Sequence, residues 1–213
     1  TIKLKREKIT IDNVPYYGMI KADIGYIKLT DFTTSAGKEV SRAVNALKEE
    51  GATRVILDLR DNPGGLLNEA VNVTNVFIER GQEVVSTKGK VSDWNKTYSA
   101  LNNPVDTEIP LAILINSRSA SASEIVSGTI QDYDRGVLVG QKTFGKGLVQ
   151  ATRPLSYNSQ LKVTTAKYYV PSGRCIQAIN YSERNEDGSV KRIPDSLKVE
   201  FKTKNGRKVY DGG

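Results

Sequence analysis

The sequence predicts an α/β protein, because segments typical of buried strands alternate with segments typical of helices. Arg54–Leu59, Ile109–Ile115 and Gly136–Gly140 have the length of strands, and apolar residues follow one another in them almost without interruption. Strands of this kind are buried, as in parallel sheets that are covered by helices. Apolar residues at helical spacing follow two of them, over 66–77 and 125–130. We therefore expect a core of stacked strand-helix units with a largely buried sheet.

Additional strand patterns lie on both sides of this core. Gly25–Leu29 alternates near the N-terminus, and Gly147–Ala151 and Leu161–Val170 are strand-like towards the C-terminus. Lys88–Asp106 is polar and irregular, so we expect a loop there. Ser182–Arg192 is polar as well and is expected to form a hairpin or a loosely held segment. The predicted organisation is N-terminal strands at 1–24, a core at 25–180 and a C-terminal tail or hairpin at 181–213.

The composition excludes several kinds of active site. The 213 residues include no histidine, which rules out a Ser-His-Asp triad, a Cys-His pair and any zinc site built on imidazole. Cys175 is the single cysteine, so the chain can form neither an internal disulfide nor a thiolate metal cluster. If the chain is a hydrolase, its base must be a carboxylate or a neutral lysine.

The charge of the chain is also informative. The formal net charge is +7, but the basic residues are scattered and no nucleic-acid-binding module accompanies them. A solvated basic face is the simplest interpretation, and nucleic acid is not expected as a partner. No apolar run approaches the roughly 18–20 residues that a membrane-spanning helix needs.

A run of small residues, Asn116–Gly128, lies between the predicted strand at Ile109–Ile115 and the helix that follows. The N-terminus of a helix has unpaired N–H groups and a dipole that favours negative charge, so an oxyanion could be received there. The same run is also typical of a Ser/Ala-rich helix cap that packs closely on a sheet. Four serines in it are candidate nucleophiles, namely Ser117, Ser119, Ser121 and Ser123.

Lys146 is flanked by two glycines and is a candidate base. The segment Gly140–Lys146 has the spacing of a phosphate-binding loop, but Gly147 stands where that motif requires Ser or Thr, so nucleotide binding is not expected. In a dry pocket a lysine is driven towards its neutral form, which could take a proton from a serine hydroxyl. Gln150 would share a face with Lys146 if this segment were a strand. A single lysine is more often a solvated surface residue, as we expect of Lys142.

Three motifs in this order resemble the C-terminal processing peptidases, also called tail-specific proteases. They are Val55-Ile-Leu-Asp-Leu-Arg-Asp-Asn-Pro-Gly-Gly65, Ser119-Ala-Ser-Ala-Ser-Glu124 and Thr143-Phe-Gly-Lys-Gly-Leu-Val-Gln150. Shorter pieces fit as well, namely Gln131-Asp132, Val139-Gly140 and Tyr168–Arg174. The resemblance covers most of Gly25–Gln177 and is specific, because all three motifs occur in sequence with a matching interval.

The resemblance implies a serine endopeptidase of the Ser-Lys type on a crotonase/ClpP-like core. In such an enzyme the nucleophile would be Ser121, the base Lys146, and the residue that orients the lysine Gln150. The oxyanion hole would use the Ala122 N–H and a glycine N–H. That glycine can be either of two neighbours, Gly64 or Gly65.

Further expectations come with this resemblance. It implies no cofactor and no metal, and it implies protein or peptide substrates with unstructured C-termini. It also implies a place outside the bacterial cytoplasm, in the periplasm or cell envelope, where a membrane is near. Family members usually carry a PDZ domain ahead of the core. Residues 1–24 are too short to be one and are expected to be the segment that follows it.

Two alternatives use the same fold. The chain could be a catalytically silent module that binds a ligand or peptide, although a binder has no need for Ser121, Lys146 and Gln150 together. It could also carry acyl-CoA chemistry, as crotonases do, but the serine and lysine motifs have no role in that reaction. The oligomeric state does not follow from the sequence.

Overall fold

The structure is a computed structural model, and it describes residue 5, residue 9 and residues 11–212. The expected N-terminal strands at 1–24 therefore lie partly outside the described residues. In chain order the elements are β1 (Tyr16–Lys21), β2 (Ile24–Lys28), α1 (Ala36–Glu49), β3 (Arg54–Asp58), α2 (Leu67–Asn75), β4 (Glu83–Gly89), β5 (Lys96–Ser99), β6 (Leu111–Ile115), α3 (Ala122–Asp132), β7 (Val137–Gly140), β8 (Leu148–Pro154), β9 (Gln160–Tyr169), β10 (Ile179–Arg184), β11 (Val190–Arg192), β12 (Glu200–Lys202) and β13 (Lys208–Tyr210).

A five-stranded sheet with the order β1-β2-β3-β6-β7 forms the centre of the fold. Strands β2, β3, β6 and β7 are parallel, and β1 is antiparallel to β2. A second, antiparallel sheet has the order β5-β4-β9-β8, and two hairpins follow it, β10–β11 and β12–β13. The predicted α/β class with β segments on both sides of the core is confirmed, while the division at residues 24 and 180 stays a prediction.

The hydrophobic core lies between one face of the central sheet and the helices. Alternate residues of β3 and β6, such as Val55, Leu57 and Ile113, are buried, and so is the apolar face of α1 from Val40 to Leu47. The expected largely buried sheet is found on one face only. Helix α2 contacts both α1 and α3, and the other face of the sheet is partly exposed at Ile56, Ala112 and Leu114 and exposed at Val139.

One segment outside the core differs from the sequence-based expectation, and another agrees with it. Lys88–Asp106 is not one irregular loop, because β5 pairs with β4 within it and extends the second sheet. The Asn95 side chain supports this turn by accepting a hydrogen bond from the Gly89 N–H (2.9 Å). Of the two forms expected for Ser182–Arg192, a hairpin or a loosely held segment, the structure has the hairpin, in which β10 pairs with β11. None of the described helices has the length and the apolar content that crossing a bilayer requires.

The in-register pairing of β3 with β6 brings the ends of these two strands together. Asp58 lies beside Leu114, and the Leu59 N–H donates to the Leu114 carbonyl (2.9 Å). Because parallel strands end at the same edge of a sheet, the loops that follow β3 and β6 are neighbours. These loops contain the Gly64-Gly65 pair and the serine run.

A buried carboxylate fixes the end of β3 just before the first of these loops. Asp58 is fully buried, and it accepts hydrogen bonds from the Tyr26 hydroxyl (2.6 Å) and from Arg60 Nη2 (2.7 Å). Burial by itself raises the pKa of Asp58, but the hydrogen bonds from Arg60 and Tyr26 outweigh it and lower the pKa to about 2. Burial and the same carboxylate raise the pKa of Tyr26 to about 12.

We predict that Asp58→Asn lowers the free energy of unfolding at pH 7 by about 2 kcal/mol, because it removes the buried carboxylate to which Tyr26 and Arg60 donate. A lowered carboxyl pKa stabilises the fold above the unfolded-state value and stops doing so as the pH falls through the folded-state value. The parent should therefore lose this contribution between about pH 4 and pH 2. Urea unfolding across this range measures the effect. Asp12→Asn, at an exposed carboxylate, serves as the control, and equal pH dependence of all three proteins would contradict the prediction.

Candidate active site

Asn62 holds the loop after β3 and the loop after β6 together. Its fully buried side chain donates to the Leu29 carbonyl (2.9 Å) and accepts the Gly64 N–H (2.9 Å). Its own carbonyl accepts the N–H of Ala120 (3.0 Å). Because every one of these groups is bonded, the buried amide fixes the path of both loops.

The four candidate serines have different surroundings. Ser119 and Ser123 are fully buried, and their hydroxyls donate to the carbonyls of Leu59 (2.8 Å) and Asn62 (3.0 Å). These two serines therefore join the serine run to the loop after β3. Ser117 is exposed on the turn before the helix, and Ser121 is half-buried at the start of α3.

Ser121 has an unusual backbone conformation. Its φ of 55° and ψ of −109° lie outside the regions that non-glycine residues favour. A residue in such a conformation costs of order 1–3 kcal/mol and persists only where its surroundings enforce it. Strain of this kind concentrates at functional sites, and it singles out Ser121 among the four serines.

Gly64 packs directly against Ser121 and Ala122. A methyl group at Gly64 would lie 2.6 Å from the Ala120 carbonyl oxygen, 2.8 Å from the Ala122 nitrogen and 2.9 Å from Ser121 Cβ. The φ of Gly64 is also +96°, which penalises any side chain. Gly64 thus lies against the first turn of α3, while its neighbour Gly65 packs against Phe32.

The two glycines of this pair differ in what their N–H groups bond. The Gly64 N–H is occupied by the Asn62 side chain, whereas no hydrogen bond among the described residues uses the Gly65 N–H. Gly65 is exposed. The Ala122 N–H lies in the first turn of α3, where helical N–H groups have no intrahelical acceptor. The backbone N–H groups of Gly65 and Ala122 are therefore the available hydrogen-bond donors of this site.

Glu124 connects the serine to the lysine loop, and the sequence analysis gave it no role. Its carboxylate is buried, with Oε2 accepting the N–H groups of Ser121 (2.8 Å) and Lys146 (2.8 Å) and Oε1 accepting that of Gly145 (2.6 Å). Burial raises the pKa of Glu124, while hydrogen bonds from Thr143 and from these N–H groups act in the opposite direction. The S-x-x-E pattern that begins at Ser121 predicts the first contact, but no local pattern predicts the other two.

The side chains of Lys146 and Gln150 are exposed. The Lys146 side chain therefore does not lie in the dry pocket that would favour its neutral form, because Glu124 binds the backbone N–H of the lysine and leaves its side chain outside. Among the described residues the Lys146 ammonium has no hydrogen-bond or ion-pair partner. Lys146 also precedes β8, which begins at Leu148, so strand alternation does not put it on the face of Gln150.

The structure thus brings the predicted residues together in part. Gly64, Ser121 and Ala122 are in contact, and Lys146 joins them through Glu124. No described hydrogen bond links the side chains of Ser121, Lys146 and Gln150 to one another. Their catalytic roles stay predictions. Among residues 11–212, no group of three or more Cys, Asp and Glu side chains could hold a metal ion.

We predict that Gly64→Ala destabilises the chain more than Gly51→Ala does. Both glycines have a φ near +97°, so both variants carry the left-handed backbone penalty of about 1–2 kcal/mol. A methyl group at Gly51 meets nothing within 4 Å, whereas at Gly64 it meets backbone atoms under 3 Å away. The extra loss should be at least about 1 kcal/mol in the free energy of unfolding. Equal losses in urea unfolding would show that the tight contact is absent.

This chain is similar to known proteins over most of its length. Residues 23–183 match the family described as Peptidase family S41. A carboxy-terminal-processing protease of Bartonella bacilliformis is 41% identical over 182 residues, which make up 84% of this chain and 41% of that protein. This chain therefore spans less than half the length of that relative.

Solved structures give the same result. The photosystem II D1 C-terminal processing protease superposes with a TM-score of 0.70 and 34% identity, over 81% of this chain and 47% of that one. A lipoprotein from Streptococcus agalactiae shares the fold, with a TM-score of 0.60 and 22% identity over 76% of this chain and 61% of the other. The family match and the identity to the Bartonella protein confirm the resemblance, and this chain belongs to Peptidase family S41.

Proposed function

We propose that this chain is the catalytic part of a serine endopeptidase that cleaves protein substrates near their C-termini. The observation that carries the proposal is the buried Glu124 carboxylate, one oxygen of which binds the backbone N–H groups of both Ser121 and Lys146. These residues are 25 positions apart in the sequence. A contact of this kind holds the backbone of a candidate nucleophile beside the backbone of a candidate base, which is a precondition of a dyad.

In the proposed reaction Lys146 acts as a neutral amine. It takes the proton from the Ser121 hydroxyl as the serine oxygen attacks the carbonyl carbon of the scissile bond, and it then gives that proton to the leaving amine. Water hydrolyses the resulting acyl-serine by the same steps. Gln150 is proposed to hydrogen-bond the lysine amine and to orient it.

The oxyanion of the tetrahedral intermediate is proposed to bind the N–H groups of Ala122 and Gly65. Gly65 is preferred to Gly64 because the Gly64 N–H already donates to Asn62. Each donor of this kind typically contributes roughly 10²–10³ in rate. No cofactor or metal is needed in this scheme, because the developing charge is met by backbone dipoles.

The remaining expectations are proposals that rest on the relatives. We propose protein or peptide substrates with unstructured C-termini, because the Bartonella relative is named for carboxy-terminal processing. We propose an extracytoplasmic location, which agrees with a bacterial relative of this class and a lipoprotein of the same fold. The core at 25–180, between N-terminal strands at 1–24 and a tail at 181–213, is the proposed unit of activity.

We predict that Ser121→Ala and Lys146→Ala each lower kcat/KM by at least about 10³-fold, because each removes a group that takes part in bond cleavage. The measurement is cleavage of casein, an unfolded protein with a free carboxyl end. Ser117→Ala and Lys142→Ala, in the same two loops, are the matched controls and should keep most of the activity. Cleavage that survives either dyad change would overturn the mechanism. Peptide binding without cleavage in the parent would support the silent binding module instead.

We predict that Glu124→Gln lowers kcat by about 10²-fold with little change in KM. An amide has one acceptor oxygen and places an NH₂ against at least one buried N–H group, which shifts Ser121 relative to Lys146. Thr129→Val is the control, since it removes a buried hydroxyl of α3 that bonds the Val84 carbonyl (2.7 Å) far from the loop contacts. The two variants are compared below their melting temperatures. A loss of stability with unchanged kcat in Glu124→Gln would show a purely structural role.

A further inference from the structure

Gln177 has a buried amide side chain that contacts the lysine loop, Gly145–Gly147. It lies in the connection between β9 and β10. Its Oε1 accepts the Gly147 N–H (2.8 Å), and its Nε2 donates to the Ile179 carbonyl (2.7 Å). The amide therefore joins the residue after Lys146 to the start of β10, and nothing in the proposed mechanism uses it.

Two buried side chains hold the two peptide planes on either side of Lys146. Glu124 Oε2 accepts the N–H of the first plane, which belongs to Lys146 itself (2.8 Å). Gln177 Oε1 accepts the N–H of the second plane, which belongs to Gly147 (2.8 Å). Because planar peptides leave only φ and ψ free at each residue, the two contacts together fix the Lys146 backbone and the direction of its Cα–Cβ bond.

The segment that contains Gln177 also packs directly on the lysine loop. The Gly145 carbonyl accepts the Ala178 N–H (3.0 Å). A methyl group at Gly147 would overlap the backbone of Gln177, and one at Gly145 would overlap the Ala178 side chain. The glycines on either side of Lys146 therefore allow the loop and the segment after β9 to approach closely.

The position of the Lys146 amine depends on this backbone. The Lys146 side chain is exposed, and among the described residues no hydrogen bond or ion pair holds its ammonium. The direction of the side chain is therefore set where it leaves the backbone. A rotation of one flanking peptide plane would move the amine relative to Ser121, and a displacement of about 1 Å at a reacting group can cost about 10²-fold in rate.

We propose that Gln177 is a positioning residue for Lys146, which acts through the Gly147 N–H and does not touch the reacting atoms. The inference rests on the proposed function, in which Lys146 is the base. Gln177 differs in this from Gln150, whose side chain is exposed and is proposed to bond the lysine amine directly. Glu124 and Gln177 divide the task, since each holds one of the two peptide planes beside the lysine.

The test replaces the Gln177 amide by an apolar side chain of similar length. Gln177→Met loses both hydrogen bonds, so kcat on casein should fall about 10- to 100-fold while KM changes less than about twofold. Asn75→Leu is the matched control, because the Asn75 amide is also buried and bonds the backbone of Asn102, which is not part of the candidate site. The control should lose Tm to a similar extent and keep its kcat below the melting temperature. An unchanged kcat in Gln177→Met, or an equal loss of kcat in both variants, would overturn the proposal.

A second variant and a second measurement make the test independent of one fold and one assay. Gln177→Asn keeps an amide but is one methylene too short to hold both contacts, so it replaces Gln177→Met if that variant does not fold, and the same loss of kcat is expected. Amide hydrogen exchange should rise in a peptide that covers residues 143–150 of the Gln177 variant. The Asn75→Leu control should show the exchange of the parent in this peptide.

The two proposals can fail separately. If casein is cleaved and Ser121→Ala abolishes cleavage, but the Gln177 variant has the kcat of the parent, the positioning role fails and the proposed function stands. If casein is not cleaved, the proposed function fails, and hydrogen exchange decides whether Gln177 holds the backbone of Lys146. A rise confined to 143–150 then supports this hold, and unchanged exchange overturns it.

Discussion

The candidate site depends on one buried carboxylate. Glu124 lies within α3, and its two carboxylate oxygens accept N–H groups from the start of that helix and from the segment before β8. Taking a carboxylate out of water is costly unless hydrogen bonds replace the lost hydration. Here the replacement donors belong to the backbone next to Ser121 and Lys146. The buried Glu124 carboxylate therefore has all of these hydrogen bonds only when both segments are in place.

A second constraint acts at the other side of Ser121. The loop after β3 can approach α3 closely because Gly64 has no side chain, and Asn62 fixes this approach through buried hydrogen bonds. Ser121 lies between the glycine loop and the Glu124 contact, and its strained φ and ψ are the geometry that satisfies both. The contacts with Gly64 and Glu124 thus explain the backbone strain at Ser121.

The sequence allows much of this arrangement to be predicted, but not the contacts that unite it. Continuous apolar runs predict β3 and β6, and the absence of histidine leaves lysine as a candidate base. The residue pattern alone leaves four candidate serines, and the family resemblance selects Ser121. In the structure Ser119 and Ser123 are occupied by bonds to another loop. The bonds from Glu124 to Gly145 and Lys146 span 21 and 22 residues. Contacts of that range depend on tertiary packing and have no periodic signature in the sequence.

The exposure of Lys146 has a physical explanation. A permanently buried lysine without a partner would destabilise the fold, because an unpaired ammonium loses its hydration. A lysine at the surface avoids this cost because its ammonium keeps its hydration. In the proposed mechanism, the water around Lys146 would be excluded by the bound substrate, so the fold itself does not bear the cost of an unpaired buried charge.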